Sequence, residues 1–312
     1  GRERACSPAA IDGVAAATSP PENTLAPGRA GMAVKLTGDH PVQTGVGNFR
    51  RSQPFTVATW LEAPSSYDRA VIFHRSQAWT DAGSRGYELL VIDGHFQWSL
   101  VHFWPGDAAS VRSVEPVPTG RWVHVAVSSD GSGAAGGLAL FIDGRPAATE
   151  IVKDSLTREI TGGGGDHLRI GERMRDMGFK GGLVDDVRVF DRALSPLEVR
   201  ELAEPGTIAT MKERRPDGAA DLLGGLHARA SDAAALAARK TLEEARRARD
   251  DLAEQPPEIM VMRETTRPKT AYVLTRGEYD KRGEAVEPGT PEVLPPFPAD
   301  QPRNRLGLAR WL

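Results

Sequence analysis

The feature that most constrains this chain is a punctuation repeated between Ala30 and Ala203. Short runs of apolar, aromatic and β-branched residues are broken by Gly, Asp, Ser or Pro about every ten positions. The clearest runs are MAVKLTG, FTVATWLEA, AVIFHRS, YELLVIDG, HFQWSLVHF, WVHVAVSSDG, LALFIDGRP, HLRIG and LVDDVRVFD. No helical pattern separates them, so the strands must pair antiparallel and bury their faces against one another as a two-sheet sandwich. VIDGHFQ (Val91 to Gln97) and FIDGRPA (Phe141 to Ala147) each place Asp-Gly between extended runs. Both central residues of a type I′ turn need positive φ, which Asp-Gly supplies, so two tight hairpins are expected there.

The flanks read differently. Residues 1–29 are rich in Ala, Pro, Ser and Thr without periodicity, as in a linker or a partial upstream segment. After the strands, LSPLEVREL predicts a short helix with Ser195 as N-cap and Pro196 at its first position. Residues 205–257 read as a linker and a charged helix. Ser231 is a plausible N-cap, and Ala235, Ala238, Leu242, Ala245 and Leu252 form a thin apolar stripe. Glu243/Arg247, Arg246/Asp250 and Arg247/Asp251 are spaced to support that helix as a solvated face. Residues 258–312 change texture again, with short strands expected at IMVM and TAYVLTRG. The segment is too short to build its own core and reads as the start of a further domain.

Bulk chemistry excludes several classes. The net charge of −3 gives no general attraction for nucleic acid or an anionic membrane. No apolar run approaches the roughly 18 residues of a membrane span. The single cysteine, Cys6, allows no disulfide framework, CxxC metal motif or haem attachment. The seven histidines show no metal spacing, and TGGGGDH lacks the GK[ST] of a phosphate loop. His124 alternates with Trp122 and Ala126 as a satisfied core histidine would. With no initiator Met and an abrupt NRLGLARWL ending, the chain reads as an excerpt.

The adjacent carboxylates Asp185 and Asp186 invite a catalytic reading. On a regular strand, neighbouring side chains point to opposite faces. Asp185 then shares a face with Leu183, Val187 and Val189, and Asp186 with Val184, Arg188 and Phe190. Paired carboxylates for glycoside hydrolysis need to face one site about 5–9 Å apart, so this pair does not qualify. If buried, Asp185 needs hydrogen bonds from loop amides. Asp186 is expected to pair with Arg188.

Several ordered motifs carry a family resemblance across residues 30–204: FTVATWLEA with Trp60, TGRWVHVAVSSDG with Trp122, LALFIDGRP, and LRIGERMRDMGFKGGLVDDVRVFDRALSPLEV. In order and spacing the segment resembles the laminin-G/pentraxin-like, concanavalin A-type jelly-roll family, which implies a two-sheet antiparallel jelly roll with Trp60 and Trp122 in the core. The tail, through MVMRETTRPKTAYVLTRGEYDKRGEAVEPGTPEVLPPFP and NRLGLARWL, resembles the C-terminal domain of unknown function of large planctomycete proteins that also carry a cytochrome c-like domain. That resemblance implies a larger exported parent, periplasmic or at the cell surface.

The resemblance to pentraxin-like relatives implies a calcium site built from Asp68, Glu172 and Asp176, with Asp39 as a further oxygen donor. Calcium takes six to eight oxygens, whereas Arg173 and Arg175 in the same loop would repel it. In HFQWSLVHF, Phe96, Trp98, Leu100 and His102 share one face, expected to be the core face. Trp79 and Trp104 lie in loop contexts, where an indole face is free to stack on a sugar ring. No catalytic motif is present. The expectation is a non-catalytic module binding carbohydrate or a protein partner, with a structural insert packed on its parent's own domains as the alternative.

Overall fold

The Asp-Gly turns set the register of the strands they join. Asp93 and Gly94 have φ of 49° and 79°, and Asp143 and Gly144 have φ of 48° and 73°. All four therefore take the positive φ that a type I′ turn requires. The computed structural model describes every residue except 1–3, 12, 30, 217, 231, 258 and 260–268. The chain divides into two units, Gly1–Pro256 and Pro257–Leu312.

In the first unit the strands are Arg4–Ile11 (β1), Gly13–Ser19 (β2), Thr24–Pro27 (β3), Met32–Lys35 (β4), Val42–Gln43 (β5), Phe55–Glu62 (β6), Arg69–Arg75 (β7), Gly86–Ile92 (β8), His95–Phe103 (β9), Asp107–Pro116 (β10), Trp122–Ser129 (β11), Leu138–Ile142 (β12), Arg145–Pro146 (β13), Thr149–Asp154 (β14), Arg169–Ile170 (β15) and Leu183–Phe190 (β16). They form a nine-stranded sheet, ordered β1-β2-β5-β15-β7-β8-β9-β10-β14, and a seven-stranded sheet, ordered β13-β12-β11-β6-β16-β4-β3. The named strand pairs are antiparallel, so the two layers form the expected jelly-roll sandwich.

Period-two alternation builds the core. Phe55, Val57 and Leu61 of β6 and Val123, Val125 and Val127 of β11 face Tyr87, Leu89 and Val91 of β8 and Phe96, Trp98 and Leu100 of β9. Each such side chain contributes roughly 1.5–3 kcal/mol by leaving water. Trp98 is the hub. Its ring centroid lies 5.8 Å from those of Phe55 and Tyr87. Its indole N–H also donates across the sandwich to the Ser128 carbonyl at 3.1 Å, which satisfies the one donor this buried side chain carries.

Four features of the strands depart from the sequence reading. Residues 1–29 supply strands where a linker was expected: β2 pairs with β5, and β3 pairs with β4 through Leu25↔Val34. Trp60 and Trp122 are not core residues. They alternate with Leu61 and Val123, which face inward, and so lie half-buried on the outer face of the seven-stranded sheet. His124 follows them outward, packed edge-on against Trp60 at 5.3 Å. It is buried, but its Nδ1 has no hydrogen-bond partner, so the expected satisfied core histidine is replaced by an unsatisfied one on the outer face.

The fourth departure is a bulge in β16. Asp185 pairs with Trp60 but Arg188 pairs with Ala58, and Asp186 takes φ of 47°. The extra residue puts Val184 and Val189 in the core and Asp185 outside it, reversing the faces that strict alternation assigns. Asp185 is buried and accepts from the Asp186 amide at 2.8 Å, while Asp186 holds Arg188 at 2.9 Å.

Among the described residues, four α-helices complete this unit: α1 (Pro196–Ala203), α2 (Thr207–Arg214), α3 (Ala219–Ala230) and α4 (Ala233–Glu254). The Ser195 and Glu198 capping box starts α1 as expected. Val199 then packs with Leu194 on Ala58, Ala126 and Phe141, covering part of the seven-stranded sheet's outer face. Helices α2 and α3 occupy the stretch expected to be a polar link. Ser231 and the side chain of Cys6 lie outside the described residues. The cap of α4 is Asp232, whose carboxylate accepts from the Ala235 amide at 2.9 Å.

The last turns of α4 are docked rather than solvated. Asp250 is buried against Arg51, and Arg50 reaches Asp251 at 2.6 Å. Arg158 donates to the Pro256 carbonyl at 2.8 Å, and Glu254 accepts from the Glu159 amide at 2.7 Å. Arg246 turns away from Asp250 and donates to the Asp130 carbonyl. The apolar stripe is left outside: Leu242 and Leu252 are exposed.

In the second unit, Ala271–Leu274 (β17) pairs with Arg282–Val286 (β18), and Asn304 caps Arg305–Trp311 (α5). Most of the expected IMVM strand lies outside the described residues. Prolines 288, 291 and 296, with Phe297, Leu294 and Leu308, line a cavity of about 760 Å³.

Candidate functional site

The outer face of the nine-stranded sheet shows how the predicted site residues are placed. Core-facing Tyr87, Leu89 and Val91 alternate with Glu88 and Leu90, which must point away from the core. Such positions are usually wet, yet Glu88, Leu90, Ser99 and Val101 are buried. Two excursions close over Glu88. One runs from Ser76 to Arg85 and carries Trp79 and the short 3-10 turn Thr80–Ala82. The other leaves the sheet at Gly171, which donates to Ile72, and returns where Val71 donates to the Met177 carbonyl at 2.9 Å. The Trp79 amide ties them together by donating to the Met174 carbonyl at 3.1 Å.

Arg173 lies between these loops with its side chain fully enclosed. It donates to Glu88, and its Nη2 and Nε reach Asp176 Oδ2 at 2.5 and 3.0 Å. Arg69 adds a fork on the same carboxylate, Nε to Oδ1 at 2.6 Å and Nη2 to Oδ2 at 3.1 Å. The Met177 amide donates to Oδ1 at 2.8 Å. Glu88 also accepts from the Thr80 hydroxyl at 2.6 Å. Burial alone would raise the Asp176 carboxyl, but the hydrogen bonds from Arg69 and Arg173 and their charges hold it below the usual range. Burial would likewise depress Arg173, and the two carboxylates reverse that.

Asp176 is thus the anion of an internal ion-pair network. Asp68 is exposed, and its backbone carbonyl accepts from Asp93 at 2.8 Å. Glu172 is half-buried beside Asp39 and His40, and burial, with Asp39's charge adding, raises its carboxyl. The structure does not bring the three expected calcium ligands together. Among the described residues, no three His, Cys, Asp or Glu side chains form a metal-holding group.

The two expected stacking residues have different surroundings. Trp79 is half-buried with the Arg69 guanidinium over its ring at 5.1 Å. Its indole nitrogen is buried without a closed hydrogen bond, beside Asp81. Trp104 is half-buried at the tip of the β9–β10 hairpin, next to Phe103, which is 53% exposed. The base of the tip is fixed: Asp107 accepts from the Thr157 amide at 2.6 Å and its hydroxyl at 2.8 Å. Gly83, near the end of the Trp79 excursion, lies beside the Phe103 ring, close enough that a Cβ added there would sit 3.5 Å from it. Trp79's loop and the Phe103–Trp104 tip therefore share one rim.

Residues 36–200, more than half of the chain, match the concanavalin A-like lectin/glucanases superfamily. The chain belongs to this superfamily. Among solved structures of similar fold is domain 4 of AbnA, a GH43 extracellular arabinanase from Geobacillus stearothermophilus, in complex with arabinotriose. It is 23% identical, with 64% of this chain and 86% of that domain covered and a TM-score of 0.44. The receptor-binding domain of botulinum neurotoxin D is 14% identical, with 66% of this chain and 53% of that one covered and a TM-score of 0.44. The binding domain of botulinum neurotoxin DC, in complex with rat synaptotagmin II, is 14% identical, with 61% and 46% covered and a TM-score of 0.44. The chain spans about half the length of these neurotoxin domains. Among curated proteins, none matches.

For a concanavalin A-like domain, the residues that sequence reasoning missed here are Arg69 and Glu88. Glu88 was marked by its own strand, a lone acid at an alternate position in YELLVI. No local signal names its partner, 85 residues away.

Proposed function

We propose that the sandwich is a non-catalytic recognition module of an exported multidomain protein, binding carbohydrate at the rim formed by the Phe103–Trp104 tip and the Trp79–Gly83 turn. The observation carrying this reading is the state of the sheet's outer face. Around Glu88 it is filled by the domain's own loops, while Phe103 stays exposed and Trp104 half-exposed on a hairpin tip braced by Asp107. A rigid aromatic edge loses little conformational entropy when a sugar ring stacks on it.

A glycan-array screen of the whole chain, repeated with F103A and W104A, tests the proposal. Binding that both substitutions abolish, with unfolding unchanged, supports it. Binding that survives both would place the ligand elsewhere. The docked α4 favours a second reading, a structural insert that holds neighbouring parts of its parent; absence of any glycan signal points there.

A further inference from the structure

We propose that the guanidinium groups of Arg173 and Arg69 take the place of a structural cation in this domain, so that the Glu172–Gly178 loop is closed without metal. The inference goes beyond the binding proposal and holds whether or not a sugar binds the rim.

The donor set does not fit calcium. Asp176 offers two oxygens with about four lone-pair directions. Those oxygens already accept from Arg69 Nε and Nη2, Arg173 Nε and Nη2, and the Met177 amide, all within 3.1 Å. Glu88 is the second carboxylate within reach and is taken by Arg173 and Thr80. Two arginines against two buried carboxylates already balance in charge. A divalent ion entering this space would meet two fixed cations whose buried counter-charges are already committed, with only the partly exposed Asp81, 3.8 Å from Arg69, beside them. Glu172, which the family resemblance would enlist, makes no bond to this cluster through its carboxylate and lies among the charges of Arg169, Asp39 and His40.

The arrangement nevertheless does what a bound ion does in such a loop. It joins carboxylates from a sheet strand and an excursion, and it fixes the backbone through the Met177 amide. The planar fork of arginine can bridge two carboxylates in a way a single ammonium cannot. Arg69 extends the brace to the Ser76–Arg85 excursion, lying over the Trp79 ring and 3.8 Å from Asp81.

The experiment uses the whole chain. Arg175, at the exposed tip of the loop, is a tryptic site whose cleavage rate reports loop opening. In the wild type, thermal unfolding and cleavage at Arg175 are expected to be the same in calcium and in chelator. Terbium should give no luminescence sensitised by tryptophan. R173M should raise cleavage at Arg175 by roughly a hundredfold, since it leaves two carboxylates buried without their cation. Should R173M fail to fold, R69M removes only the half-exposed arm and should still raise cleavage about tenfold. Calcium that stabilises the wild type, chelator that opens its loop, or R69M that cleaves as slowly as wild type would each overturn the proposal.

Discussion

Acidification should weaken this fold well before its carboxylates titrate, because of His74. The His74 ring is buried under the Glu172 loop. Nε2 lies 2.9 Å from the Glu172 carbonyl, which can only accept, so Nε2 carries the proton. In the neutral ring Nδ1 is the acceptor, 2.9 Å from the Ser76 hydroxyl, whose proton it shares with the Ala78 carbonyl at 3.2 Å. The ring is neutral, and burial, with the charge of Arg173 adding, pushes its pKa down to about 3. In the unfolded chain the same ring titrates near its ordinary value of ~6.5. Between those values the unfolded chain binds a proton that the folded chain does not. Stability is therefore complete above the unfolded pKa and falls with pH through the interval. From about pH 7 to about pH 5 the linkage relation gives a loss of about 2 kcal/mol for His74 alone. His124, lowered by burial to about 4, adds a similar loss. The sum, roughly 4 kcal/mol, is a large part of the ~5–15 kcal/mol that holds an ordinary domain together. Urea unfolding followed by tryptophan fluorescence at stepped pH measures it. H74Q keeps a donor for Glu172 and an acceptor for Ser76 but cannot titrate, so it should lose about 2 kcal/mol of that pH dependence. Wild type and H74Q falling in parallel over the interval would refute the neutral, buried assignment.

Three further expectations follow from the packing. D250A leaves Arg51 buried without its counter-charge and should cost about 3–5 kcal/mol in urea unfolding, while the double variant R51M/D250L should cost clearly less. G178A would put a Cβ 1.8 Å from the Gly38 carbonyl oxygen and is expected to abolish the folded state in thermal scans. G224A, with open space around a helical position, should instead stabilise by up to about 1 kcal/mol.

What the sequence displayed was whatever local chemistry decides. The Asp-Gly hairpins, the capping box of α1 and the alternation of Phe96, Trp98 and Leu100 are all written within a few residues. The faces of β6 were not. FTVATWLE is apolar on both sides because α1 covers Ala58 on its outer face, so nothing local says that Leu61 rather than Trp60 points inward. The bulge at Asp186 was hidden because its left-handed residue is an aspartate, with no glycine to mark it. The site was half visible. The repulsion that Arg173 poses to a cation was legible, but its pairing with Glu88 was not, because the two meet only through the fold.

The long-range ion pairs share a location. Arg173 with Glu88, and Arg51 with Asp250, both fasten a segment lying outside the sandwich, a loop in one case and a helix in the other. An apolar patch would stabilise such a segment about as well, because buried ion pairs do little better than packed hydrocarbon. An apolar patch, however, tolerates sliding, whereas a buried carboxylate is satisfied at one position only. On α4 the contrast is visible within a single helix. The charged face is seated on the domain and the Leu242–Leu252 stripe is left outside, so charge pairing rather than hydrophobicity decides which way the helix turns.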